Sequence, residues 1–237
     1  MQRLLGQTRK AIDDYKMISA GDRVAVGVSG GKDSLVTLLT LSRLQRFYPE
    51  KFEVCAVSVD MGFGMDYAPI ERFCAELGVK LEIVKTQIKE IVFDVRKEKH
   101  PCSLCAKLRR GAVNDAAKSL GCNKVAYGHH LDDAVETFLM SLFYEGRVSC
   151  FSPVTHLDRS GVTVIRPLIY CDEWMCAKIA RENSLPVVGK VCPADGATKR
   201  QEVKELVAEL KKRYPDLKER VLTAMQRGGV PDWKILK

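Results

Sequence analysis

The stretch that decides the fold is Val24-Ala25-Val26-Gly27-Val28-Ser29-Gly30-Gly31-Lys32-Asp33-Ser34. An apolar run breaks at Ser-Gly-Gly and continues into residues with apolar side chains in helical rows, which predicts a strand, a tight turn and a helix N-terminus. Backbone N–H groups at such a turn have no partner within the helix, and the helix dipole adds partial positive charge. Together with the Lys32 ammonium, this pattern predicts a phosphate-binding loop.

Two common phosphate loops do not fit these residues. A Walker A loop requires glycine where Val26 stands, and serine or threonine where Asp33 stands. Gly27, Gly30 and Gly31 also have the wrong spacing for a dinucleotide loop. A glycine turn that only caps a helix is the alternative, and it is disfavoured because strand, turn and helix all occur in the context of a phosphate loop.

The composition indicates a cytoplasmic α/β protein. The chain has 237 residues and is 46% hydrophobic, which is enough for one large domain with a small appendage. It has no apolar run that could span a membrane, and no signal-peptide core follows Met1. A net charge of +8 favours a polyanionic partner. Nine cysteines in a reducing compartment indicate metal binding or thiol chemistry for some of them rather than a disulfide framework.

Strands alternate with helices along the chain, which predicts an open, mostly parallel, doubly wound, Rossmann-like α/β sheet. We expect strands at 24–28, 52–59, 79–84, 124–127 and 162–165, and we leave 88–95 open between strand and helix. The predicted domains are an N-terminal helix in 1–20, an α/β domain in 21–190 and a small C-terminal helical extension in 191–237.

Polar residues follow the second and fourth predicted strands. Asp60 ends one strand, and Gly128-His129-His130-Leu131-Asp132-Asp133 follows the other. Ligands of open parallel sheets bind beyond the carboxyl ends of the strands, and paired carboxylates there can hold Mg²⁺ against pyrophosphate oxygens. The alternatives are a turn residue for Asp60, a helix cap for the aspartates and loop closure for the histidines.

A second constellation is Cys102-x-x-Cys105, together with Cys192. The pair lies at a predicted helix N-terminus, where thiolates are stabilised, and Arg109 and Arg110 follow one turn later. Spacing alone leaves an iron–sulfur cluster, a zinc site and a redox dithiol open. The other cysteines lie in apolar contexts and are expected to be packing residues; they are Cys55, Cys74, Cys122, Cys150, Cys171 and Cys176.

Four blocks of sequence resemble known families. Residues 29–34 resemble the SGGKDS loop of PP-loop pyrophosphatases (adenine nucleotide alpha hydrolases), which split ATP to AMP and pyrophosphate. Residues 101–111 and 128–133 are similar to the PCSLCAKLRRG and GHHxDD blocks of the tRNA 2-thiocytidine synthetase (TtcA) family. Residues 166–171 continue the match, and the similarity extends over nearly the whole chain. At residue 189 this chain departs from that family, because Gly189 stands where the family has the first cysteine of a C-x-x-C.

The resemblance implies a cofactor, a set of partners and roles for residues. It implies a [4Fe–4S] cluster that is bound by Cys102, Cys105 and Cys192, so that the fourth iron has no cysteine ligand. It also implies ATP, Mg²⁺, a tRNA substrate and a homodimer. A cysteine desulfurase or free sulfide would donate sulfur. The catalytic residues implied are Lys32, Arg109, Asp133 and Cys192. The ATP contacts implied are Ser29, Gly30, Gly31, Lys32, Asp33, Ser34, Asp60, Gly128, His129 and Asp132. RNA contacts are expected from Arg110, Lys199 and Arg200.

The predicted function is therefore ATP-dependent thiolation of a tRNA cytidine at C2. One alternative is a cluster enzyme that desulfurates or thiolates another base or a small metabolite. Two further alternatives are a PP-loop amide-forming ligase without a cluster and a non-catalytic module that binds zinc and RNA. The intact phosphate loop argues against the last of these.

Overall fold

The structure, a computed structural model, describes residues 1–96, 101–188 and 199–236. Its six strands form one sheet in the order β3-β2-β1-β4-β6-β5. The strands are β1 Arg23–Gly27, β2 Glu53–Asp60, β3 Leu81–Lys85, β4 Lys124–Ala126, β5 Val154–Leu157 and β6 Val162–Ile165.

All neighbouring strands run parallel except β5, which pairs antiparallel with β6. The chain moves outward from β1 to β3 and then returns to place β4 on the other side of β1. This reversal of strand order is the switch point where open α/β sheets bind ligands. The prediction of an open, mostly parallel α/β sheet is thus confirmed.

Helices cover both faces of the sheet. The described α-helices are α1 Gln2–Asp14, α2 Lys32–Leu44, α3 Ala68–Leu77, α4 Pro101–Ser119, α5 Leu131–Glu145, α6 Glu173–Glu182, α7 Lys199–Arg213 and α8 Leu217–Arg227. Buried residues of α1, α2, α3 and α6 form one core cluster, and α4 packs into a second cluster on the opposite face. The strand residues between these layers are apolar on both sides: Val24, Ala25 and Val26 of β1 are fully buried.

The terminal helices share these cores. Ile12 of α1 and Met225 of α8 belong to the same cluster as α2, while Val203 and Val207 of α7 pack with α5. The proposed division at residues 20 and 190 stays a prediction. None of the helices in the described ranges combines the length and the apolar content that a membrane crossing requires.

Two local elements differ from expectation. Strand β5 was not predicted, because its four residues, Val154–Leu157, are mostly half-buried or exposed and form only an edge strand. The ambiguous segment 88–95 forms a π-helical turn, Glu90–Val95, in which only Val92 is buried. With a single buried residue, the segment shows neither the two-residue period of a strand nor the 3.6-residue period of a helix.

Candidate active site

The loop after β1 has the strand–turn–helix geometry that the sequence predicts for a phosphate loop. Gly30 has a φ of +79°, and α2 begins at Lys32. The Ser34 hydroxyl accepts a hydrogen bond from the backbone N–H of Ser29 at 3.1 Å and donates one to the carbonyl of Gly31 at 2.8 Å. These bonds hold the turn in shape, so that its N–H groups are organised before an anion arrives.

Lys32 lies between two carboxylates. Its ammonium is 3.0 Å from Asp33 and 3.0 Å from Glu173, and Lys204 approaches the other oxygen of Glu173 at 2.7 Å. Burial alone would lower the pKa of Lys32, but the bonds to the two carboxylates outweigh it and raise that pKa. Burial likewise opposes ionisation of Glu173, but Lys204 and Lys32 lower its pKa to about 2. Both groups are therefore charged at neutral pH.

A cavity of about 820 Å³ opens over the carboxyl ends of β1, β2, β4 and β6. This volume lies within the range of small-molecule sites. One side is lined by residues at and beyond the end of β2, such as Asp60, and the other by residues that follow β4 and β6. The predicted site residues that line it are Ser29, Asp33, Ser34, Asp60, Arg109, Arg110, Gly128, His129 and Arg200.

Gly128 is needed where the loop after β4 crosses the start of α2. A Cβ at this position would lie 2.7 Å from the backbone carbonyl of Asp33. Only glycine lets the two loops approach this closely. The contact places the 128–133 loop beside the phosphate loop.

Cys102 and Cys105 occupy the first turns of α4. Cys102 is exposed, whereas Cys105 is half-buried, with its Sγ 3.7 Å from the Sδ of Met61, a residue of the cavity wall. Arg109, one turn along, lines the cavity itself. Two thiols on one helical face beside arginines suit a thiolate-bound cluster of negative charge. The third predicted ligand, Cys192, lies outside the described residues, within which no group of three metal-binding side chains occurs.

The two aspartates of the 128–133 loop have different surroundings. The Asp133 carboxylate accepts a hydrogen bond from the backbone of His130 at 3.0 Å in a capping box, and its other oxygen is 3.8 Å from Arg200. Both oxygens of Asp132 have protein partners, namely the backbone N–H of Glu173 at 2.7 Å and Lys218 at 2.8 Å. The geometry of Asp132 is that of an anchor for α6 and α8, and its contact with ATP stays a prediction.

The remaining predicted RNA contacts have protein partners. Arg200 pairs with Glu136 at 3.2 Å, and the Lys199 ammonium lies 4.6 Å from the ring centre of Tyr144. Arg200 also lines the cavity, whereas Lys199 is exposed on α7.

His129 is neutral at physiological pH. Its pKa is lowered to about 4, and burial is the largest cause. Arg166, Arg200 and His130 contribute to this lowering, whereas Asp133 opposes it. Its Nδ1 is buried and has no hydrogen-bond partner among the described residues.

This pKa predicts a pH dependence of stability. Between pH 6.5 and 4, His129 binds a proton in the unfolded chain but not in the folded chain. The contribution of the buried, neutral His129 to the free energy of unfolding is therefore complete above pH 6.5 and is lost as the pH falls towards 4. We expect the free energy of unfolding to fall by about 1–2 kcal/mol more between pH 7 and 5 in the wild type than in His129→Gln. Urea unfolding at the two pH values measures this, with the exposed His156→Gln as control. Equal losses in wild type and His129→Gln would contradict the prediction.

Sequence reasoning missed several residues of this site. Glu173 and Lys218 carry no motif, because they reach the phosphate loop and Asp132 only through the packing of α6 and α8. Arg166 does carry a signal, because it is a charged residue placed directly after the apolar strand β6.

Comparisons with known proteins show the family of this chain. The PP-loop domain family matches residues 4–210. A tRNA-cytidine(32) 2-sulfurtransferase from Dechloromonas aromatica (strain RCB) is 41% identical over 228 residues, which is 94% of this chain and 79% of the relative. The enzyme of the same name from Geobacter sulfurreducens is 40% identical over 220 residues, 91% of this chain and 86% of the relative.

Among solved structures, the U34-tRNA thiolase NcsA from Methanococcus maripaludis with its [4Fe–4S] cluster is similar, with a TM-score of 0.74 and 26% identity. The match covers 94% of this chain and 77% of the thiolase. The NH₃-dependent NAD synthetase from Campylobacter jejuni shares the fold alone, with a TM-score of 0.51 and 18% identity over 100% of this chain and 98% of that one. The family match and the identities near 40% confirm the resemblance seen in the motifs: this chain belongs to the tRNA-cytidine(32) 2-sulfurtransferase family of PP-loop proteins.

Proposed function

We propose that this protein replaces the C2 oxygen of a tRNA cytidine with sulfur at the expense of ATP. The observation that carries the proposal is the convergence of two sites on one cavity. The phosphate loop lines its floor, and Cys105 contacts its wall through Met61. The relatives that share this sequence are named for the modification of cytidine 32 of tRNA.

The phosphate loop would bind the pyrophosphate part of ATP. Residues 29–34 offer backbone N–H groups, and Lys32 can exchange Glu173 for a phosphate oxygen without losing an anionic partner. Mg²⁺ would be held between phosphate oxygens and the carboxylates of Asp33 and Asp133. The Oδ1 atom of Asp33 is buried without a hydrogen-bond partner among the described residues, which fits a carboxylate that completes its shell with a ligand.

The chemistry begins with activation of the base. Its C2 carbonyl oxygen attacks the α-phosphorus of ATP, the new O–P bond replaces the bond to pyrophosphate, and C2 then carries AMP through the original oxygen. Arg109 and Arg110 line the cavity and would stabilise the negative charge that develops on the phosphate. Sulfide then adds at C2, and AMP leaves with the original oxygen. When bound by Cys102, Cys105 and Cys192, the [4Fe–4S] cluster supplies the chemistry that delivers this sulfur.

The partners form the second part of the proposal. A cysteine desulfurase or free sulfide supplies the sulfur, and the chain acts as a homodimer in the cytoplasm. A tRNA substrate and thiols that ligate a cluster both fit a reducing cytoplasm. Light scattering of the reconstituted protein tests the dimer. The amide ligase and the zinc module are not favoured, since the relatives are sulfurtransferases.

Lys32→Met is expected to reduce tRNA-dependent pyrophosphate release by about 100- to 1,000-fold, because it removes the ammonium that neutralises the departing phosphates. Release is measured with an enzyme-coupled phosphate assay. Lys204→Met is the matched control, since Lys204 contacts the same Glu173 but not the loop, and it should stay within about threefold of wild type. Equal rates in Lys32→Met and the control would contradict the proposed role.

One experiment tests the function as a whole. The protein is reconstituted anaerobically with iron and sulfide and supplied with ATP, Mg²⁺, sulfide and unmodified tRNA, and nucleosides are identified by mass spectrometry. A 2-thiocytidine peak that is absent in Cys105→Ser and Cys192→Ala supports the proposal. ATP cleavage and a bound cluster without any thiocytidine would overturn the assignment of the substrate.

A further inference from the structure

Unpaired polar atoms concentrate in the cavity. Six buried side-chain polar atoms of the described residues have no hydrogen-bond partner, and five of them belong to residues that line it. Asp33 is one of these, in the phosphate loop. The other four are Asn114 Oδ1, Tyr127 Oη, His129 Nδ1 and Arg166 Nε. Because buried polar groups in folded proteins nearly always have partners, this concentration marks a place where a ligand supplies them.

These four residues lie on one side of the phosphate loop. Tyr127 and His129 follow β4, Arg166 follows β6, and Asn114 lies on α4. The sheet order places β4 and β6 on the opposite side of β1 from β2, whose end carries Asp60. The side of the cavity beyond β4 and β6, opposite the side beyond β2, is called here the second lobe; it is lined by Asn114, Tyr127, His129, Phe151 and Arg166.

The wall of the second lobe carries aromatic rings and a guanidinium group. The ring centres of His129 and Phe151 are 5.0 Å apart, and the Arg166 guanidinium lies 4.9 Å from the centre of the Phe151 ring. Arg166 is held in place, because it donates hydrogen bonds to the Ser152 carbonyl and, at 3.3 Å, to the Thr155 hydroxyl. Aromatic and guanidinium planes beside unpaired donors and acceptors are the means by which proteins hold unstacked nucleobases.

We propose that the second lobe binds the target pyrimidine, with the Asn114 side-chain oxygen and the Tyr127 hydroxyl on its Watson–Crick edge. This assignment rests on the proposed function and deepens it. The cytosine edge has an amine that donates, which suits Asn114 Oδ1, and a ring nitrogen that accepts, which suits the tyrosine hydroxyl. Uracil reverses both groups, so the same pair of side chains would discriminate against it.

The Tyr127 hydroxyl is suited to donate. Burial raises the pKa of Tyr127 to about 12, although Arg110, Arg109 and Arg166 lower it in part, so that the proton is retained at neutral pH. The ring itself is fixed against the end of β1, since a Cβ on Gly27 would lie 2.9 Å from its Cε1. The hydroxyl is therefore positioned before the base enters.

The test compares binding of two tRNAs that differ only in cytidine or uridine at position 32, the position that the relatives' name gives. Binding is measured by fluorescence anisotropy in the presence of a non-hydrolysable ATP analogue. We expect wild type to prefer the cytidine form by about tenfold. Tyr127→Phe and Asn114→Leu should each lose most of this preference, and Asn114→Asp, which keeps an acceptor, should retain more of it than Asn114→Leu.

Tyr48→Phe is the matched control, because Tyr48 lies beyond the far end of α2, where its hydroxyl donates to Asp13 at 2.6 Å. Thermal unfolding and ATP-analogue affinity confirm that each variant keeps its fold and its phosphate site. A wild type without preference, or a preference kept in both Tyr127→Phe and Asn114→Leu, would overturn the inference. Because no turnover is needed, these outcomes stay separate from a failure of the proposed function, which shows as absent thiocytidine in the wild type.

Discussion

Serine in place of Cys102 or Cys105 is expected to abolish tRNA thiolation and to reduce bound iron to background. A serine hydroxyl is a poor ligand for iron, and the thiolate pair on α4 supplies two of the three predicted ligands. Iron and acid-labile sulfide are assayed on the reconstituted protein, and thiocytidine is assayed by mass spectrometry. The fold should be unaffected in Cys102→Ser, because this side chain is exposed, and the melting temperature of the variant should therefore match that of wild type.

Cys74→Ser is the matched control for the cysteine variants. Cys74 is buried on α3 in the core, so this change is expected to affect stability but not iron content. If Cys102→Ser and Cys105→Ser both kept full iron and activity, the thiols of α4 would not be cluster ligands. Iron loss without loss of thiolation would show that the cluster does not take part in the reaction.

Lys218→Met is expected to produce the largest loss of stability. Lys218 is 2% exposed and forms ion pairs with Asp172 and, at 2.8 Å, with Asp132. Removing the lysine leaves two carboxylates close together in the interior, which typically destabilises a protein by about 3–5 kcal/mol. For a chain of this size, the loss corresponds to a fall of roughly 6–20 °C in melting temperature. Calorimetry or urea unfolding measures the effect.

Two comparisons isolate the buried pair. Lys212→Met removes an exposed pair with Glu209 and should change stability by no more than about 0.5 kcal/mol. The double variant Asp132→Asn with Lys218→Met should be less destabilised than the sum of the two single changes, since the single changes leave an unpaired charge. Additive losses would contradict a coupled pair.

The parts of the site that are local in sequence were predictable. The phosphate loop depends on consecutive residues in a strand–turn–helix context, and the Cys102–Cys105 pair depends on one helical turn. That Asp60 and the 128–133 loop lie at the same edge of the sheet followed from the alternation of strands and helices. These features combine short-range sequence with a general rule for parallel sheets.

The parts that depend on long-range packing were not predictable. Glu173 reaches Lys32 across 141 positions of the chain, and Lys218 reaches Asp132 across 86. Single charged residues on helices give no signal that distinguishes a buried partner from a solvated face. The lobe beyond β4 and β6 likewise depends on Asn114, Tyr127 and Arg166, which come from three separate elements.

The position of Glu173 has a consequence for which anions the loop accepts. Its carboxylate is held by the fold 3.0 Å from Lys32, so it competes for the ammonium as an intramolecular partner with a high effective concentration. Inorganic phosphate has to displace the Glu173 carboxylate from Lys32 with only the contacts that one phosphate group makes. ATP gains further contacts along its whole length while it makes the same displacement. The Glu173 carboxylate thus lowers the affinity of the loop for small anions more than its affinity for ATP.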